Sequence, residues 1–189
     1  MTLPGSLLRA LLAATAIAAA ASRAGAQEML LTREQAVREI FPEVARTADE
    51  RRALAAAAKR DLERTLGRRI VEDTIDVVKV YDAQGTLRGY AVVTEEIGKY
   101  RPITFMVGAT PELRVRDVAV MVYRESRGGD VKRRRFLAQY RGKSAKDPID
   151  LGRDIINISG ATISVRSLNA GVKRVLAELA AVYGPAAPR

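Results

Sequence analysis

Short runs of β-branched and apolar residues, separated by turn residues, occupy the middle of the chain. The strongest run extends from Val115 to Tyr123, where valines at alternate positions fall on one face of an extended strand. Further strands are expected at residues 75–81, 87–94 and 103–107, with a turn at residues 82–85. Strands joined by such short connections predict an antiparallel or meandering sheet.

Residues 32–66, ahead of this region, are rich in alanine and charged residues and predict helix. Two capping-box spacings support this interpretation, Thr32 with Gln35 and Thr47 with Glu50. The basic residues in this segment indicate a solvated helix face or a surface that contacts an acidic partner or lipid.

The end of the chain predicts one long amphipathic helix that begins at about Ser164. Its apolar residues keep i, i+3/i+4 and i+7 spacing until Gly184 and Pro185. A helix with this apolar stripe packs on a sheet, so the predicted fold class is α+β, with an antiparallel or meandering sheet packed by helices and an N-terminal helical segment.

The first 26 residues have the pattern of a secretory signal. Arg9 precedes a run of small apolar residues, and Ala24-Gly25-Ala26 provides a small-residue cleavage site. We therefore expect export to the periplasm or cell envelope, with cleavage after Ala26. An uncleaved membrane anchor is the alternative.

Composition narrows the possible chemistry. The 189 residues carry 32 basic and 22 acidic side chains, a net charge of +10, but no cysteine, histidine or tryptophan. This excludes serine–histidine and cysteine–histidine catalysis, thiolate zinc sites and histidine-ligated metals, so neither a metal site nor a catalytic side chain is predicted. Nucleic-acid binding is disfavoured, since only 5% of residues are aromatic and no nucleic-acid motif is present.

The segment Asn157-Ile158-Ser159-Gly160-Ala161-Thr162-Ile163-Ser164 lies where the chain enters the last helix. It places three hydroxyls within six residues, and Gly160 allows a tight turn. Ser or Thr at such a point caps the free N–H groups of a helix, and the same helix end favours an anion such as phosphate. From spacing alone, a plain N-cap and a phosphate site both remain open.

Ser159-Gly160-Ala161-Thr162 resembles the S/T-G-A-T motif of the FMN-binding domain family. This family includes the C subunit of the sodium-pumping NADH:quinone reductase and the G subunit of the Rnf complex. The resemblance implies that Thr162 carries FMN through a phosphoester bond installed by a flavin transferase, with Ser159, Gly160, Ala161, Ser164 and Asn157 around it. Ile156 occupies a position that is often acidic in the family.

The loop from Glu125 to Gly129 follows the strongest strand and resembles the family's flavin-lining E-T-P-G-x-G loop. Glu125, Ser126 and Gly128 match its Glu, Thr and first Gly, and Arg127 replaces its proline. If the loop lines the flavin, it must lie beside Thr162. The alternative is an ordinary turn on the far side of the sheet.

The residue patterns and the resemblance together predict four segments: a signal peptide (1–26), an N-terminal helical segment (27–70), an FMN-binding domain (71–184) and a tail (185–189). The resemblance implies an exported flavoprotein that acts as a redox subunit, rather than as a stand-alone enzyme, in an extracytoplasmic or membrane-associated redox chain. Its redox partner is expected to be membrane-associated. Lys143, Arg153 and Arg166 are candidate cations for a reduced flavin. The alternative function is a cofactor-free basic exported module that contacts an acidic partner or a membrane surface.

Overall fold

The computed structural model describes residues 28–184, which form an α+β fold built on one antiparallel sheet. Its strands are β1 (Glu28–Met29), β2 (Arg46–Ala53), β3 (Thr74–Tyr81), β4 (Leu87–Ile97), β5 (Pro102–Ala109) and β6 (Val115–Tyr123). Their order across the sheet is β1-β6-β5-β4-β3-β2. The predicted fold class is confirmed, and β6 spans the residues expected of it. The signal-peptide prediction for residues 1–26 lies outside the described residues.

The helices are α1 (Arg33–Ile40), α2 (Ala56–Leu66), α3 (Arg134–Leu137) and α4 (Thr162–Tyr183), with short 3-10 turns at Gly129–Lys132 and Ala138–Tyr140. The capping box predicted at Thr32 is present, because its side chain accepts a hydrogen bond from the Gln35 N–H and the Gln35 side chain accepts one from the Thr32 N–H. Within residues 28–184, none of the helices is long and apolar enough to cross a membrane.

The expectation of helix through residues 32–66 is wrong for residues 46–53, which form strand β2. This strand pairs in continuous antiparallel register with β3, from Arg46 opposite Tyr81 to Ala53 opposite Thr74. It is the edge strand of the sheet and is mostly exposed on both sides, so its sequence lacks the apolar alternation that marks a strand. Pairing with β3 overrides the helical preference of its charged residues.

Helices cover both faces of the sheet. On one face, Val37 and Ile40 of α1 and Phe41 at its C-cap pack in a buried cluster with strand residues. On the other, the apolar stripe of α4 packs against the centre of the sheet, and the four residues Val165, Leu168, Val172 and Leu176 are fully buried there. The predicted role of the last helix in the core is confirmed.

Gly171 allows α4 to lie close to β5. A Cβ at this position would lie 2.5 Å from the Phe105 ring and 2.9 Å from Glu96 Cγ, so any larger residue would push the helix away from the sheet. This close packing fixes the helix, and it thereby fixes where the first turn of α4 lies relative to the ends of the strands.

Candidate functional site

The first turn of α4 begins at Thr162, and no side chain caps it. Ala161 occupies the N-cap position with φ −122° and ψ 13°, and it makes no side-chain cap hydrogen bond. Gly160, just before it, is exposed and has a left-handed φ of +78°. The plain N-cap interpretation of Ser159, Thr162 and Ser164 is therefore wrong. The amides of the first turn lack partners inside the helix, so this end of α4 can receive an anion.

The Thr162 hydroxyl has a partner other than the backbone. Asn157 Nδ2 donates a hydrogen bond to Thr162 Oγ1 at 2.9 Å. Asn157 is exposed and Thr162 is half-buried, so the hydroxyl lies at the surface of the molecule with one defined neighbour. Ser159, the first residue of the predicted motif, is exposed.

The loop after β6, from Glu125 to Gly129, packs directly against the start of α4, as predicted from the sequence. Gly128 has a φ of +78°, and a Cβ there would lie 3.0 Å from Tyr123 Oη, 3.2 Å from Ser164 Oγ and 3.4 Å from Ala161 Cα. The position therefore requires glycine both for its backbone conformation and for the close approach. The alternative of a turn on the far side of the sheet is excluded.

Tyr123, which sequence reasoning did not assign to the site, joins the loop to the helix. Its buried hydroxyl donates to the Arg127 carbonyl at 2.6 Å and lies 3.2 Å from Ser164 Oγ. Burial raises the pKa of the Tyr123 phenol, and the contact with Ser164 offsets this only in part. The hydroxyl thus stays protonated at neutral pH. The hydroxyl of a buried tyrosine needs a hydrogen-bond partner, so the position of Tyr123 at the end of an apolar strand could have indicated such a contact from the sequence.

Glu125 brings a third segment to the site. Its Oε1 accepts hydrogen bonds from the backbone N–H groups of Tyr100 at 2.6 Å and Arg101 at 2.9 Å. These residues belong to the connection between β4 and β5, for which no functional role was predicted from the sequence. Lys99 and Tyr100 were therefore missed, although the order of strands places this connection at the same edge of the sheet as the end of β6.

The three segments enclose a cavity of about 440 Å³, a size typical of small-molecule sites. Six of the nine predicted site residues line it, while Gly128 packs behind its wall and Asn157 and Ser159 lie outside. The lining residues are Lys99, Tyr100, Glu125, Ser126, Arg127, Gly160, Ala161, Thr162, Ile163 and Ser164.

The cations of the cavity differ from those expected. Lys99 and Arg127 line it, and both are exposed. Lys143 does not line the cavity, and its Nζ forms an ion pair with Asp154 at 2.8 Å. Arg153 and Arg166 are exposed elsewhere on the described part of the chain. The two loops thus contribute two cationic side chains, Lys99 and Arg127, and one carboxylate, Glu125, to the lining of the cavity.

A second cavity of about 340 Å³ lies next to the first, and Asn157 is part of its wall. The hydrogen bond between Asn157 and Thr162 therefore connects the walls of two cavities. The other lining residues of the second cavity are Asp130, Arg133, Arg135, Phe136, Gln139, Ile156 and Ile158.

Residues 98–177 match the family model of the FMN-binding domain. The matched segment is 80 of the 189 residues long. It contains every residue that lines the first cavity. The resemblance inferred from the S-G-A-T motif is therefore confirmed.

The fold is similar to that of a solved structure, NqrC from Shewanella oneidensis. The alignment covers 78% of this chain and 82% of NqrC, with 17% identity and a TM-score of 0.50. At this identity the likeness concerns the fold alone. No curated protein matches the sequence.

Proposed function

We propose that this protein is an exported flavoprotein that holds FMN covalently on Thr162 through a phosphoester bond and passes electrons to and from partner proteins. The observation that carries the proposal is the position of the Thr162 hydroxyl. Thr162 belongs to an uncapped first helical turn and lines a cavity shared with the loop after β6. Such a turn suits a phosphate, and the cavity beside it suits the rest of a ligand of this size.

The residues of the cavity fit FMN in charge and shape. The amides of the first turn and the cations Lys99 and Arg127 favour the phosphate or a negatively charged ring. Tyr100 and Ile163 present apolar surface, with 74% and 45% of their areas exposed. FMN, when bound, supplies the electron-transfer chemistry, while the chain supplies binding, orientation and a positive environment.

Export and a redox partner complete the proposal. The pattern of residues 1–26 supports export and cleavage after Ala26, so the mature protein would begin at Gln27. The FMN-binding domain and the NqrC-like fold support a membrane-associated redox partner, and a flavin transferase would install the cofactor. Mass spectrometry of the intact exported protein tests the cleavage, and a full-length protein in the membrane fraction would support the anchor alternative instead.

The cofactor is tested by an absorption spectrum. The full chain is produced in a host with a flavin transferase, denatured and freed of small molecules. A flavin spectrum that stays with the denatured chain is the expected result. A colourless protein whose association with acidic partners weakens with salt would instead favour a cofactor-free binding module.

A further inference from the structure

We propose that Asn157 positions the Thr162 hydroxyl for flavin attachment, and that Gln139 in turn positions Asn157. The inference rests on the proposed function, since it concerns how the same hydroxyl is modified. It starts from the hydrogen bond that Asn157 Nδ2 donates to Thr162 Oγ1 at 2.9 Å.

Gln139 holds the backbone next to Asn157. Its Oε1 accepts a hydrogen bond from the Ile156 N–H at 2.8 Å, and its Nε2 donates to the Ile156 carbonyl at 3.5 Å. The Ile156 side chain is 77% exposed and contributes little packing, whereas the preceding Ile155 is buried. The path of the chain at residue 156 thus depends on the amide of Gln139.

Gln139 is itself held by the core. It lies in the 3-10 turn Ala138–Tyr140, whose Tyr140 is fully buried and donates its hydroxyl hydrogen bond to Asn169 Oδ1 on α4 at 2.7 Å. A chain of contacts therefore runs from the middle of α4 through the 3-10 turn to Asn157, and returns to α4 at Thr162. Both ends of the Asn157–Thr162 hydrogen bond are supported by the same helix.

This arrangement restricts the threonine hydroxyl. Because the Asn157 amide donates to one lone pair of Oγ1, the threonine hydrogen must point elsewhere, and one side-chain rotamer is favoured. Attachment forms a bond from Oγ1 to the phosphorus that bears the flavin in an activated flavin diphosphate ester. The bond from that phosphorus to the bridging oxygen breaks, a nucleoside monophosphate leaves, and the hydroxyl proton passes to a base of the transferase. Asn157 and Gln139 act before this step by orienting the nucleophile.

The test measures the rate of covalent loading of the full chain, by intact-mass spectrometry, with a flavin transferase and flavin adenine dinucleotide. Wild type is compared with Asn157→Ala, with Gln139→Ala and with Gln84→Ala, a control in the exposed turn between β3 and β4. We expect the kcat for loading to fall about 10- to 100-fold in Asn157→Ala. It should fall less in Gln139→Ala and stay unchanged in Gln84→Ala, with the KM for the protein substrate similar throughout.

Three outcomes are distinguishable. A lower kcat at constant KM, without loss of thermal stability, supports a positioning role. Wild-type kcat in Asn157→Ala, or a higher KM alone, contradicts it, since the latter would mean that the transferase only recognises this surface. A wild-type protein that gains no adduct overturns the proposed function itself.

Discussion

The hydroxyl of Tyr123, at the end of β6, lies 3.2 Å from Oγ of Ser164 in the first turn of α4. The two residues are 41 positions apart, and their contact joins the end of a central strand to the start of the helix that covers the sheet. The same hydroxyl donates to the Arg127 carbonyl, so one side chain fixes the loop, the strand and the helix that line the cavity.

Tyr123→Phe removes this link without changing the packing of the ring. Because a buried hydrogen bond contributes about 1 kcal/mol, we expect the free energy of unfolding to fall by about that amount. FMN binding by the apoprotein should weaken as the loop loosens. Denaturant titration and flavin titration measure the two effects. Tyr81→Phe, at the opposite end of the strands beside the β3–β4 turn, should leave FMN binding unchanged. Equal losses in both variants would contradict the role of Tyr123.

Gly128→Val tests the close approach of the loop to the helix. Gly142 is a matched control because its φ of +76° is similar, yet a Cβ there would meet nothing within 4 Å. Gly128→Val and the control Gly142→Val each impose backbone strain of about 1–3 kcal/mol. Only Gly128→Val should also perturb the spectrum or reduction potential of bound FMN, without preventing its attachment. Identical flavin spectra in the two variants would place the loop outside the flavin site.

Glu125→Ala tests how the β4–β5 connection is held. The change leaves the N–H groups of Tyr100 and Arg101 without their carboxylate acceptor, so Lys99 and Tyr100 should leave the cavity wall. We expect faster hydrogen exchange at residues 98–101 and weaker FMN binding by the apoprotein. Glu125→Gln, which keeps a carbonyl acceptor, should preserve most of the binding. Unchanged exchange in Glu125→Ala would show that the connection is held by other contacts.

Asp154 predicts a pH dependence in the segment that precedes Asn157. Its carboxylate accepts hydrogen bonds from Lys143 and from the N–H groups of Ile149 and Asp150. Burial alone would raise the pKa of Asp154, but these bonds outweigh it and hold the pKa below the ordinary 3.8. Since the folded-state pKa is lowered, its contribution to stability is present above pH 3.8 and is lost as the pH falls through the folded-state pKa.

Urea unfolding of Asp154→Asn measures this contribution. We expect a loss of about 1–3 kcal/mol at pH 7, typical of hydrogen bonds to a charged group. The difference from wild type should shrink as the pH falls below 3.8. Asp61→Asn removes an exposed ion pair with Arg64 and should change stability little at any pH. A difference that grows on acidification would contradict the assigned pKa direction.

The sheet and the last helix follow from local patterns. Strand β6 was predictable because its nine residues are mostly apolar, with Val118, Val120 and Val122 at alternate positions, and α4 because its apolar stripe extends over six turns. The expectation that these valines share one face is wrong for Val122, because a register shift against β5 places it in the other core cluster. Strand β2 was not, since its eight residues are polar on both faces and are held by backbone pairing with β3. An edge strand that buries few side chains shows no periodic pattern of apolar residues from which it could be predicted.

The site was predictable in its two motifs but not in the contacts between them. Thr162 and the loop at Glu125 were identified from resemblance, whereas Tyr123 and Gln139 act through hydrogen bonds that depend on the tertiary fold. Lys99 and Tyr100 reach the cavity only because Glu125 binds their connection. Such long-range pairs leave no spacing pattern in a single sequence.

The most direct measurement is peptide-level mass spectrometry of protein produced with a flavin transferase, for wild type, Thr162→Val and Thr162→Ser. Valine keeps the shape of threonine but lacks the hydroxyl, while serine keeps the hydroxyl. If Thr162 carries the flavin, an FMN-sized adduct is expected on the peptide that contains residue 162 in wild type and Thr162→Ser, and none in Thr162→Val. An adduct that persists in Thr162→Val, or that maps to Ser159 or Ser164 in wild type, would contradict it.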